Sequence, residues 1–153
     1  TSAKLASGLA LGKIGQVVNS TVTTLTSATS TSFVDVSGFT INITPSSSDS
    51  KVLVSWNILT GSDNDSSNQG LPMLKIVRDA TGIYEHASQC MYGGWQTSTD
   101  TITYLDSPST TSAVTYKLQY KRLGGNGTIK FNSIYAQGDG TGASTLTLME
   151  VLA

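Results

Sequence analysis

Residues 112–122, SAVTYKLQYKR, decide how the rest of the chain is read. From Val114 onward the side chains alternate: Val114, Tyr116, Leu118 and Tyr120 take one side, and Thr115, Lys117, Gln119 and Lys121 the other. A period of two belongs to a β-strand with one face buried and one wet. The stretch 38–44 repeats the pattern, with Phe39, Ile41 and Ile43 set against Thr40, Asn42 and Thr44. So does 51–60, where Val52, Val54, Trp56 and Ile58 oppose Leu53, Ser55, Asn57 and Leu59. Leucine at both ends of that second face predicts a more deeply covered strand. The closing STLTLMEVLA is apolar on both sides, Leu146, Leu148 and Leu152 against Met149 and Val151. Such a strand belongs in a sheet centre or an oligomer interface.

Outward from these segments the reading stays β. Strands are predicted at 14–18, 21–26, 32–36, 38–44, 51–60, 71–79, 83–92, 100–105, 112–122, 128–136 and 144–152. Turn-forming stretches separate them, among them ITPSSSDSK (44–51), TGSDNDSSNQG (60–70), DATG (79–82), RLGGNG (122–127) and AQGDGTGAS (136–144). No 3.6-residue period is sustained. So many short strands predict an all-β fold, a two-sheet antiparallel jelly-roll-like sandwich in preference to a seven-strand immunoglobulin type. The opening TSAKLASGLALGK differs from everything after it and reads as a short helical or linker segment over 1–13, with the sandwich over 14–153. Gly8 and Gly12 make a helix there weak alone, so neighbouring copies would have to stabilise it. The Ser/Thr tract 19–32 reads as a wet edge strand.

Composition narrows function. The chain has 153 residues, the size of one domain. Ser and Thr account for 44 of them and charged residues for only 12%, so the surface is built from hydroxyls and amides. A net charge of −1 argues against nucleic acid as a partner. No apolar run approaches the roughly 18 residues of a membrane-spanning helix, so no membrane insertion is expected. The chain starts at Thr1 without Met, which suggests a fragment or a processed chain, and nothing in it reads as a secretion signal.

Catalytic motifs are weak. The single Cys90 rules out an internal disulfide, and with the single His86 it supplies at most two soft metal ligands, so no metal and no cofactor is expected. On a strand Glu85 and His86 point to opposite faces, and His86 stands about 13 Å from Cys90. Both therefore read as structural, and no enzyme activity is expected. Asp63, Asp65, Ser67 and Gln69 recur at every second position like calcium ligands, but Asn68 occupies the place of the turn glycine and Leu74 that of the bidentate glutamate. Lys117, Lys121, Arg122 and Lys130 form the one basic cluster, read as a solvated or edge-protecting face before a sugar or phosphate patch.

Sugar recognition asks for an aromatic face beside amides and carboxylates. CMYGGWQTSTD offers Tyr92 and Trp95 around Gly93-Gly94, followed by Gln96. With Asp63, Asp65 and Asn68 of the other polar loop, these make the candidate ligand-binding set, although a tryptophan is more often core.

FVDVSGFTINITPSSSDSKVLV, YLDSPSTTSAVTYKLQYK and STLTLMEVLA together resemble a domain recurring at the ends of virion structural proteins of tailed bacteriophages, notably marine and cyanobacterial ones. TSAKLASGLALGKIGQVV resembles the linker repeats that precede such domains in fibre proteins. The interval 57–100 matches poorly. The resemblance implies a homotrimeric β-sandwich of the tumour-necrosis-factor or complement kind, a fibre tip or appendage among other phage virion proteins, touching a host-surface glycan or protein. A purely structural capsid decoration is the alternative, and a polysaccharide-degrading tailspike a third. A trimer would bury Leu5, Leu9, Leu148, Met149 and Leu152 about its axis.

Overall fold

A computed structural model of the chain describes residues 13–63, 70–88, 96–123, 127–134 and 141–153. These form ten strands: β1 (Lys13–Val22), β2 (Thr26–Ala28), β3 (Val34–Ile43), β4 (Lys51–Asp63), β5 (Pro72–Arg78), β6 (Thr81–Ala87), β7 (Gln96–Asp106), β8 (Val114–Arg122), β9 (Thr128–Phe131) and β10 (Ser144–Leu152). No helix occurs among the described residues.

Every strand pairing is antiparallel. One sheet runs β1, β10, β4, β7, with β2 and β9 extending it beside the upper half of β4; the other runs β3, β8, β5, β6. With the short β2 and β9 set aside, the pairings are nested. β1 takes β10, β3 takes β8, β4 takes β7 and β5 takes β6. That is one long hairpin wound around a common core, the topology of a jelly roll. The all-β, two-sheet expectation is met.

The alternating segments face inward as their periodicity requires. Phe39, Val52, Val54, Trp56, Ile58, Tyr116 and Leu118 have no exposed surface. Phe131 stacks edge-on against Phe39 and Tyr120, with centroids 5.7 and 5.5 Å away, and so ties the two sheets together. Leu53 and Leu59, on the other side of β4, are half-buried.

Several boundaries differ from the sequence reading, each for a physical reason. The segments 14–18 and 21–26 are not two strands: β1 is continuous to Val22, with an irregularity between Ile14 and Val17. Lys13, placed in the linker by sequence, already pairs with Leu152. The segments 32–36 and 38–44 also merge into β3, because Gly38 takes φ +82 and lets the strand bend without ending. β9 stops at Phe131, where Asn132 turns with φ 61, instead of reaching 136. β7 begins four residues earlier than 100, since Thr97 and Thr99 continue its outward row. β6 ends at Ala87, five residues short of the expected 92.

β10 lies between β1 and β4, hence in a sheet interior. Leu146 and Leu148 point into the core and are fully buried within this one chain. Leu148 therefore has no surface left for a neighbour, whereas Met149 and Leu152 are half-buried. Leu5 and Leu9 lie outside the described residues.

Candidate functional site

The two ends of the sandwich differ in what they carry. At one end Lys13 faces Leu152, and Lys51 faces Val151. At the other, eleven residues along β4, Ser62 faces Gln96. Asp63 pairs with Thr128 at that same far end, and Gly70 lies against Gly127. The chain thus leaves β4 for 64–69, and returns to β7 from 89–95, at adjacent points. The topology brings Asp63 and Gln96 to neighbouring rungs, although they are 33 positions apart in sequence. Asp65, Asn68, Tyr92 and Trp95, and with them Cys90, lie outside the described residues.

Beneath this end sits a polar cluster that sequence reasoning did not assemble. Asp100, on the inner side of β7, is buried and accepts hydrogen bonds from Thr60 Oγ1 at 2.8 Å and Ser88 Oγ at 2.7 Å, both on its Oδ2. Its Oδ1 lies 3.2 Å from His86 Nε2. Thr60 belongs to β4 and Asp100 to β7, while His86 and Ser88 come from β6 and the residue following it. The cluster therefore clips the two sheets together along one open edge. Glu85, on the opposite face of β6, pairs instead with Lys75 at 2.8 Å, as the strand geometry required. Aspartate, histidine and serine are all present, but the order is wrong for acyl transfer. Ser88 donates to the carboxylate and not to the imidazole, so the histidine does not stand between the two as it does in a Ser-His-Asp triad.

The neighbouring polar residues are likewise internal fasteners. Ser144 Oγ donates to Asn132 Oδ1 at 2.6 Å and accepts from the Leu59 N–H at 2.9 Å. Asn132 Nδ2 reaches the Thr24 carbonyl at 3.0 Å. At the opposite end Arg78 Nη1 bridges both oxygens of Asp106 at 2.8 Å, and Tyr116 donates its hydroxyl to Asp106 at 2.7 Å. Burial, and then that hydrogen bond to a carboxylate, push the Tyr116 phenol far above its ordinary value of 10.

The basic cluster expected from sequence does not exist as one patch. Lys130 is on β9 in the larger sheet, whereas Lys117, Lys121 and Arg122 are on β8 in the smaller one. Lys117 pairs with Asp35 at 2.8 Å, and Lys121 lies over the Phe33 ring at 4.6 Å, with Lys75 over the same ring at 3.6 Å. Arg122 donates to the Gly127 carbonyl at 3.0 Å. Lys117 and then Gln119 donate to Asp35, and they hold its carboxyl below the usual carboxylate range. These charges are engaged with partners on their own chain. No grouping of three or more metal-ligating side chains occurs among the described residues.

The outer face of the larger sheet is built differently. Val17, Met149, Leu53 and Leu105 stand in one register across β1, β10, β4 and β7. Val17 is 55% exposed and Leu105 46%. Ile14 and Val151 adjoin this row on one side. On the other side come rows of Asn, Thr and Ser whose side chains bond laterally. Asn19 Nδ2 donates to Thr147 Oγ1 at 2.8 Å, and Thr101 Oγ1 to Asn57 Oδ1 at 2.9 Å.

No protein-family model matches the chain, and no curated protein matches it. Among solved structures it is similar to the T=1 particles derived from infectious bursal virus, with a TM-score of 0.40 and 12% identity over 92% of this chain and 37% of that one. A second similar structure is that of the infectious bursal disease virus Gx strain, with a TM-score of 0.34 and 12% identity over 90% of this chain and 40% of that one. The chain thus spans well under half the length of each.

Proposed function

We propose that the chain is a virion structural protein: a homotrimeric fibre tip or appendage of a tailed phage that assembles with other virion proteins and contacts a host-surface glycan. The observation that carries this reading is the polarity of the jelly roll. Lys13 and Leu152 meet at one end, while the stretches containing the candidate sugar contacts leave the sheets together at the other. An appendage needs that division between an attached end and a presented end. The hydroxyl-rich, weakly charged surface supports it, since little of its stability depends on ion pairs that salt would screen. The phage resemblance of the sequence motifs points the same way.

The test is binding of the labelled chain to an array of bacterial surface polysaccharides, beside Trp95→Ala and Tyr92→Ala. Saturable binding that each substitution weakens about tenfold, with melting unchanged, is the expected result. A chain that ignores every polysaccharide and intact host cells yet coats phage heads would replace this reading with capsid decoration. Release of reducing ends from the array would point to the enzymatic reading.

A further inference from the structure

We infer that the outer face of the larger sheet is the surface through which copies of this chain associate. The inference rests on the homo-oligomer part of the function proposed above and names the surface it uses. Its centre is the cross-strand row of Val17, Met149, Leu53 and Leu105, flanked by Ile14 and Val151. Ile14, Val17 and Leu105 rank among the most exposed large apolar side chains of the described residues, and this one face holds all three.

The charge distribution selects the occupant. From the rung of Ile14, Val151 and Lys51 to that of Leu59 and Thr99, Lys51 is the one charged residue in the outward rows of β1, β10, β4 and β7, and Asp63 and the Lys130 of β9 stand beyond, at the far end of the sheet. The opposite outer face, on the smaller sheet, carries Asp35, Lys75, Glu85, Lys117 and Lys121. A partner bearing charges over the stripe would leave them unpaired and stripped of water, which is costly. An apolar-striped sheet whose charges stand only towards its ends meets that requirement, and a second copy presents one.

The polar rows do not oppose contact either. Asn19 with Thr147, and Asn57 with Thr101, already satisfy one another along the sheet, so covering them strands few donors. Four strands about 4.8 Å apart, over some eight residues of about 3.3 Å each, give a plan area of about 500 Å². The accessible area of so corrugated a face is larger, and a standard interface needs about 800 Å² per partner. No aromatic ring lies in the stripe to stack on sugar.

Sedimentation equilibrium of the full chain at micromolar concentration tests this, beside Leu105→Lys, Met149→Lys and, on the other sheet's outer face, Thr115→Lys. Association of the unmodified chain, weakened at least about tenfold by each of the first two and unaffected by the third, is expected, because each lysine would bury an unpaired ammonium. Leu105 is exposed enough that its replacement leaves the fold intact, which Trp56 fluorescence checks. If the unmodified chain associates and both stripe variants associate equally well, the surface is wrong while the oligomer stands. If deletion of residues 1–12 alone abolishes association and the stripe variants do not, the N-terminal segment is the contact and the inference falls. A chain that is monomeric throughout overturns both the surface and the homotrimer, and leaves glycan binding to be judged by the array.

Discussion

Trp56 stands in register with Leu146 on one side and Ile102 on the other, enclosed completely between the sheets. Its indole N–H has no hydrogen-bond partner among the described residues, so the residue contributes through volume alone. Trp56→Ala should cost about 3–5 kcal/mol, enough to lower the melting midpoint by many degrees. Trp56→Phe keeps most of the apolar bulk and surrenders no bond; calorimetry should show less than half that loss. Equal losses for the two would mean that the indole makes a specific contact. At the same scale, the His86 environment shows what periodicity hides. The residue could be judged in sequence only against Glu85 and Cys90, its neighbours along the chain. Its actual partner, Asp100, lies across the gap between two sheets and becomes adjacent only when β6 and β7 line the same open edge.

Among the elements, β3 illustrates how a strand survives its own interruption. The pairing with β8 shifts between Asp35 and Thr40, and Gly38 sits within that shift at φ +82. A side chain there adopts the left-handed region at a cost, and its Cβ would come within 3.3 Å of Val22 Cγ1. Gly38→Ala should destabilise by about 1–2 kcal/mol, measurable as an earlier urea midpoint with an unchanged slope. The elements legible in sequence were those whose inner row is wholly apolar, such as β8 and the first half of β4. β7 was recognised only in part because its inner row alternates Ser98, Asp100, Ile102, Tyr104 and Asp106, and buried carboxylates look like surface to any hydropathy reading. Ser62 and Gln96 could not be seen to face each other from spacing, since their pairing depends on the nested wrapping of the whole chain. The cross-strand apolar row escaped for the same reason: its members come from four strands, and only the pairing register sets them side by side.

At the scale of the molecule, a buried glutamate and a buried phenol set the pH range of the fold. Burial pushes the Glu150 carboxyl up, but hydrogen bonds from the Gln16 amide and from the Ser46 hydroxyl and N–H outweigh it and hold it at about 2, below its ordinary 4.5. A lowered folded-state value stabilises the native chain above pH 4.5, and that contribution disappears as pH falls from 4.5 towards 2. Asp35 acts with the same sign. Melting temperatures should therefore drop steeply across this window, and Glu150→Gln should flatten the slope while lowering stability at neutral pH. Tyr116 acts oppositely: its raised value means stability is lost as pH rises past 10, where the unfolded chain ionises and the folded one resists.

The nested pairing also fixes how the molecule bears force. Lys13 lies opposite Leu152, so the first strand starts where the last one finishes, on the same rung of one sheet. Tension drawing those two points apart would part β1 from β10 a rung at a time, as a zip opens, and each bond would fail alone. Load introduced at that rung and taken up at the Ser62 and Gln96 end runs along the strands instead, where all the rungs share it. The jelly roll is thus soft when pried open at its base and stiff when pulled from base to tip.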